Sequence, residues 1–306
     1  MLTFVLRRLL WLPPMLLAVS LVTFVMIHLV PGDPVQILMG QNPTGGNVQL
    51  ARHELGLDQP LPVQYLRYLG NALHGDLGTS IRSGRPVLAE IGDRFPATLE
   101  LTLSAMALAI ILGVGLGTLA AAVRARWVRG LVLLLSTLGL SMPTFWLGLL
   151  LIDLFALNLR WFPVLGNTTI QGTVLPTVTL ALPAAAVLSR VTYAGLSEVL
   201  QQEYIRTAQA KGLARRRVVL VHALRNAIIV VLTIAGLQFG GLLAGSVIVE
   251  NVFSRPGLGT IVVSAILGRD YPDIQGAVLV FAVLYVAINL LLDVLYGVIN
   301  PRIRVS

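Results

Sequence analysis

The sequence predicts an all-α integral membrane protein with six spans, and three observations carry that reading. Hydrophobic residues make up 56% of the chain and charged residues only 12%, against roughly 25% charged in soluble globular proteins. Six runs free of Asp, Glu, Lys and Arg are long enough to cross a bilayer as helix, which takes about 20 apolar residues. The basic residues gather beside alternate ends of those runs, the pattern that fixes orientation in a membrane.

In chain order the charge-free runs are Leu9–Gly32, Leu101–Val123, Gly130–Ile152, Trp161–Ser189, Asn226–Val249 and Ile274–Leu292. They place spans at residues 9–32, 97–123, 130–157, 174–195, 226–249 and 274–299. The fourth starts late because Pro163, Gly166, Gly172 and Pro176 crowd the first half of its run. A further charge-free run, Pro34–Ala51, is too rich in Gln, Asn, Gly and Pro to satisfy its backbone in lipid. The first run follows Arg7 and Arg8 but exceeds the roughly 7–15 residues of a signal-peptide core and ends in Val30-Pro31-Gly32-Asp33 without a small-x-small site. It reads as an uncleaved first helix.

An even number of spans puts both termini on one side. That side holds Arg7, Arg8, Arg124, Arg126, Arg129, Arg190, Arg206, Lys211, Arg215, Arg216, Arg217, Arg225, Arg302 and Arg304, fourteen of the 22 basic residues. Outside the long loop, the other side keeps Arg160, Arg255 and Arg269. Residues 1–8 and 300–306 are therefore expected in the cytosol. The net charge of +8 is explained by these flanks and gives no argument for nucleic acid. The chain has no cysteine, which excludes a disulfide framework or thiolate metal site.

Two elaborations depart from the membrane pattern. Residues 33–96 form an external loop in which Val63, Leu66, Leu69 and Leu73 after Pro62, and Val87, Leu88, Ile91 and Phe95 after Pro86, recur at helical spacing. Two short amphipathic helices are expected there, suited to docking a partner or to covering helix ends. A second, shorter external loop is expected at 250–273.

Residues 196–225 are the more informative stretch. Glu203, Tyr204, Thr207, Ala208 and Lys211 lie near one helical face, and Gly212 supplies a residue able to end the helix at positive φ. An Arg-rich helix resumes at Leu213. A basic amphipathic helix suits anionic lipid, but the small residues Thr207, Ala208 and Ala210 favour close approach to a protein groove.

At these residues the chain resembles a family. Arg206-Thr207-Ala208 followed by Gly212 is similar to the EAA loop of bacterial ABC importer permeases, in the form seen in the dipeptide/oligopeptide/nickel branch. His222-Ala223-Leu224-Arg225-Asn226-Ala227 extends the likeness. So do Val30-Pro31-Gly32-Asp33-Pro34, Leu55-Gly56-Leu57-Asp58-Gln59-Pro60, His74-Gly75-Asp76-Leu77-Gly78, Ser141-Met142-Pro143, Glu250 to Gly259, Arg269-Asp270-Tyr271-Pro272 and Asn300-Pro301-Arg302-Ile303-Arg304. Arg255 stands where many relatives have tryptophan.

The resemblance implies a type I ABC importer permease in a bacterial inner membrane, without catalysis or cofactor of its own. Its expected partners are a second permease, two cytosolic ATPase subunits that carry ATP and magnesium, and an external solute-binding protein. Glu203, Tyr204, Arg206, Thr207, Ala208, Lys211 and Gly212 are the expected ATPase-coupling residues. Cargo in this branch includes dipeptides, oligopeptides, glutathione, nickel and metal chelates. The short connection from Asn158 to Thr173 looks more like the glutathione and nickel members.

Other features weigh less. Ser141, Thr144 and Gln238 are candidates to line the cargo path, with Pro143 breaking the third span, though such groups also bond between helices or to their own backbone. Gly236, Gly240, Gly241 and Gly245 make small-xxx-small patterns for close helix packing. Gly113, Gly115 and Gly117 superficially match a nucleotide fingerprint but have no preceding strand. Glu100, Asp153 and Asp293 sit near span ends within reach of water or an arginine. No HExxH or GxSxG occurs, and His28, His53, His74 and His222 are scattered. The alternative function is a secondary carrier driven by an ion gradient, without ATPase subunits.

Overall fold

The computed structural model describes residues 2–29, 49, 53, 58–123, 125–166 and 169–299. The Val30–Pro34 and Leu55–Leu57 motif residues, Arg124 and the 300–306 tail lie outside the described residues, as do the side chains of Arg7, Arg8 and Asp293. Among the described residues the protein is helical, with a single isolated bridge, Thr79 to Pro86, and no strand.

The helices are α1 Leu2–Leu29, α2 Leu61–Leu73, α3 Val87–Ala122, α4 Arg126–Ser141, α5 Thr144–Leu151, α6 Ile170–Val199, α7 Glu203–Ala210, α8 Leu224–Val252, α9 Leu258–Gly268 and α10 Tyr271–Ile299. Two π-helical turns extend them: Ile152–Asn158 continues α5, and Val218–Ala223 leads into α8. Four helical stretches are long and apolar enough to cross a membrane: Val87–Ala122, Ile170–Val199, Arg215–Val252 and Tyr271–Leu291. A fifth is a bent pair, and α1 carries the shorter apolar stretch Leu12–Met26.

The bent pair corrects the expected third span, which was drawn as one helix over 130–157 with a local break. Arg126–Ser141 and Thr144–Asn158 diverge by 106°. Met142 is extended (φ −84°, ψ 123°) because the ring of Pro143 disfavours helical backbone before it, and helix restarts as Leu147 N–H reaches the Pro143 carbonyl at 3.0 Å. Two other boundaries also move. The helix expected near Val87 runs on through Pro96 into the second span as one element, and the loop expected at 250–273 contains α9.

The chain divides into two compact units, described separately. One comprises Ala97–Arg255 and the residues from Ile288. Its core gathers Leu101, Ala105 and Ala109 from α3, Leu175 to Leu188 from α6, and Val231 to Val249 from α8. The α3–α6 contact is close because of glycine. A Cβ on Gly113 would lie 2.5 Å from Leu188 Cβ, and one on Gly117 would lie 2.5 Å from the Ser189 carbonyl oxygen. Of the expected packing glycines in α8, Gly245 meets Leu180 of α6, whereas Gly241 has open space around it.

The other unit comprises Leu2–Pro96 and Pro256–Ala287. Val87 and Ile91 pack with Leu77, Leu258, Ile261 and Ala277, with Phe95 partly buried against them, so the second of the two expected amphipathic helices buries most of its stripe, Leu88 staying exposed. The first does not: α2 has no buried residue, and Val63, Leu66 and Leu73 are exposed. Its attachment runs through its polar side, where Tyr65 Oη and Ser20 Oγ are 2.9 Å apart. Burial, and secondarily Tyr65, pushes the Tyr68 hydroxyl up to about 12. Asp270 closes the turn before α10, accepting from Ser80 Oγ at 2.6 Å and Arg82 N–H at 2.9 Å.

Candidate functional site

The 196–225 segment folds as a helical hairpin on the end of the bundle. Helix α6 stops at Val199, Gln202 takes an extended backbone (ψ 150°), and α7 begins with Glu203, where a carboxylate complements the helix N-terminus. At about 100° per residue, Ile205 points roughly opposite the Glu203–Thr207 edge. Ile205 is fully buried against Leu196, Val218, Ala223 and Ala227. That single side chain supplies about 1.5–3 kcal/mol of apolar transfer, enough to seat a two-turn helix that could not persist alone.

Seating by Ile205 decides which expected residues remain available. Glu203, Tyr204, Arg206, Thr207, Lys211 and Gly212 are exposed. Ala208 is half-buried against the Ile205 cluster, a correction to its placement on the outward face. The exposed edge is ordered by local bonds. Arg206 Nη1 pairs with Glu203 Oε1 at 2.9 Å, Thr207 Oγ1 donates to the Glu203 carbonyl at 3.1 Å, and Asn226 Nδ2 donates to Tyr204 Oη at 2.6 Å. The last bond straps α7 to the start of α8, so the 222–227 motif braces the hairpin.

The turn is held by backbone geometry. Gly212 has φ +77°, and a Cβ there would meet nothing within 4 Å. Glycine takes this left-handed conformation without the penalty a Cβ would bring, and there is no steric demand around it. Its N–H reaches the Gln209 carbonyl at 2.9 Å, and Leu213 N–H reaches the Ala208 carbonyl at 3.3 Å, closing the helix end. Past the turn, Arg215 Nε donates to the Ala122 carbonyl at 2.9 Å and ties the lead into α8 to the end of α3.

Residues 113–305 match the family described as binding-protein-dependent transport system inner membrane component, and residues 1–102 match the N-terminal model of that transport component. The chain belongs to this family. The glutathione transport system permease protein GsiC of Salmonella paratyphi A is 47% identical over 304 residues, covering 99% of each chain. The Escherichia coli GsiC is 46% identical over the same length and coverage. Among solved structures, an inward-facing MetNI methionine ABC transporter chain superposes with a TM-score of 0.60 at 17% identity, covering 69% of this chain and 96% of that one. A chain from an amino acid ABC transporter with histidines gives 0.52 at 17% identity, covering 70% and 94%. These likenesses fix the type I permease fold, and family membership makes the chain a multi-pass permease subunit of an ABC importer. The secondary-carrier alternative falls with it.

Ser141 is exposed and donates to the Thr137 carbonyl of its own helix at 3.0 Å, and half-buried Thr144 opens α5 just beyond the bend. Gly148 packs on Val252 and Phe253, while half-buried Gln238 lies about 21 Å farther back along α8 at 1.5 Å per residue.

Sequence reasoning missed two things. One is Ile205, whose signal was present as the only large aliphatic residue in α7. The other is Arg255, which has 0% exposure. Its guanidinium pairs with Glu100 Oε2 at 2.8 Å and donates to Thr173 Oγ1 at 2.9 Å, joining the end of α8 to α3 and α6. Nearby, buried Glu250 accepts from Thr98 Oγ1 at 2.6 Å. Arg255 thus sits inside the unit. The acid that makes this possible, Glu100, was legible as a span-end carboxylate within reach of an arginine.

Proposed function

We propose that this permease moves glutathione or a related short peptide into the cytoplasm of a bacterium. Cargo would arrive from an external solute-binding protein, and the power would come from two ATPase subunits bound below this chain and a second permease. ATP and magnesium belong to those ATPases. The exposed edge of α7 is the coupling surface, with Glu203, Tyr204, Arg206, Thr207 and Lys211 offered to an ATPase cleft. Both termini lie with it on the cytosolic side.

The observation that carries the reading is the way α7 is mounted. It is a short polar helix whose one apolar anchor, Ile205, enters the cluster formed by the ends of α6 and α8, while its turn is fixed by a left-handed glycine. A force on the exposed edge is delivered to two spanning helices at once. The cargo class rests on the likeness to the glutathione permeases over nearly the whole length.

The test is ATP-driven uptake of labelled glutathione by the assembled transporter. Gly212→Val forces a β-branched residue to φ +77° and is expected to abolish uptake while membrane insertion is preserved. Uptake by the permease alone under an ion gradient, unaffected by Gly212→Val, would refute the coupling role. Saturable uptake of an unrelated amino acid with none of glutathione would refute the cargo assignment.

A further inference from the structure

A groove of about 530 Å³ opens between the end of α3 and the start of the Arg215–Val252 helix. Gly115, Thr118 and Leu119 form one wall, Val219 and Leu220 the other, and Arg215 with Arg216 stands at the mouth. We propose that this groove binds one anionic phospholipid, with an acyl chain along the apolar walls and the phosphate held by the two arginines.

Three observations support that occupant. Both walls belong to helices long and apolar enough to cross a membrane. Its mouth lies at interfacial depth: Ala122, which ends α3, lines it, and the next helix opens with exposed Arg126 and 72%-exposed Trp127, the residue types that mark the headgroup level. Arg215 is preset at the rim, since only its Nε is used by the Ala122 carbonyl and a guanidinium carries five donors.

Local sequence makes the space. Gly113 and Gly117 press α3 against α6, whereas a Cβ on Gly115 would meet nothing within 4 Å, so the middle glycine of the three leaves a trough on the other face. Opposite, the π-helical turn Val218–Ala223 widens the second wall, a distortion common at functional sites. Two arginines near an anionic surface favour a charged over a zwitterionic lipid substantially.

The experiment is native mass spectrometry of the full-length chain with its co-purifying subunits, titrated with phosphatidylglycerol or with phosphatidylcholine of matched acyl chains. Retention of phosphatidylglycerol should exceed that of phosphatidylcholine by roughly tenfold. Replacing both arginines, Arg215→Gln with Arg216→Gln, should remove that preference. Gly115→Leu should displace both lipids, because the trough has room for the side chain and the helix tolerates leucine better than glycine. Equal retention of the two lipids by the unmodified protein overturns the proposal, as does undiminished phosphatidylglycerol retention by Gly115→Leu. Competition by chain-free glycerol phosphate as effective as that by the lipid also overturns it, since the groove would then contribute nothing. So does a photo-crosslinker at position 119 that captures another permease chain in place of lipid.

Discussion

The two ends of the Arg215–Val252 helix solve opposite problems. At its start the charges are exposed, and one buried aliphatic side chain, Ile205, holds the neighbouring helix. At its far end the charges are buried: Arg255 and Glu250 have 0% exposure, Arg255 bonding to Glu100 and Thr173 and Glu250 accepting from Thr98. An exposed ion pair such as Glu203–Arg206 contributes little to stability, so that edge is free to serve a partner. A buried cation is costly unless fully paired, so the far end is committed to holding α3, α6 and α8 together.

The sharpest way to break this comparison is Ile205→Ala. Removing the anchor should cost about 2–5 kcal/mol, concentrated in the hairpin, so hydrogen exchange across residues 203–213 should rise sharply while α6 and α8 stay protected. Uniform exchange would mean that something besides Ile205 seats α7. At the opposite end, Glu100→Ala leaves Arg255 buried beside a missing partner. Loss of a fully buried pair costs roughly 3–5 kcal/mol. Glu100 is 48% exposed, which lowers the expectation to about 2–3 kcal/mol, read as a fall in the thermal midpoint of the purified protein. Adding Arg255→Met should recover most of it; no recovery would show that the arginine matters for shape more than charge.

A smaller effect is expected at the turn. Gly212→Ala meets no neighbour, so its cost is the left-handed backbone alone, about 1 kcal/mol, and Gly212→Asn should restore much of it because asparagine tolerates that region. The smallest change in stability should come from Arg206→Gln, about 0.5 kcal/mol or less. Uptake is expected to fall far more than the thermal midpoint in that variant. A parallel loss of both would place Arg206 in the scaffold instead of the coupling edge.

Much of this protein could be read from residues alone, and for definite reasons. Helices in lipid must satisfy every backbone group within themselves, so uncharged runs such as Asn226–Val249 announce spans without knowledge of the fold. The Gly212 turn was equally legible, because only backbone conformation is at stake there and that is a local property. The candidate coupling segment stood out by its polarity and small residues, and the family likeness by motifs along the whole chain.

What remained hidden depended on partners distant in sequence. Pro143 marked a break, but not the 106° angle between the two halves. Periodicity gave Val63, Leu66 and Leu73 a common stripe without saying that it stays exposed, and put Ala208 with the outward residues, where packing half-buries it. Arg255 read as one more charge in a loop; the fold alone brings Glu100 and Thr173 to it across 155 and 82 positions. Local backbone chemistry follows from neighbouring residues, whereas burial is a property of the whole packed bundle, and only the tertiary structure assigns it.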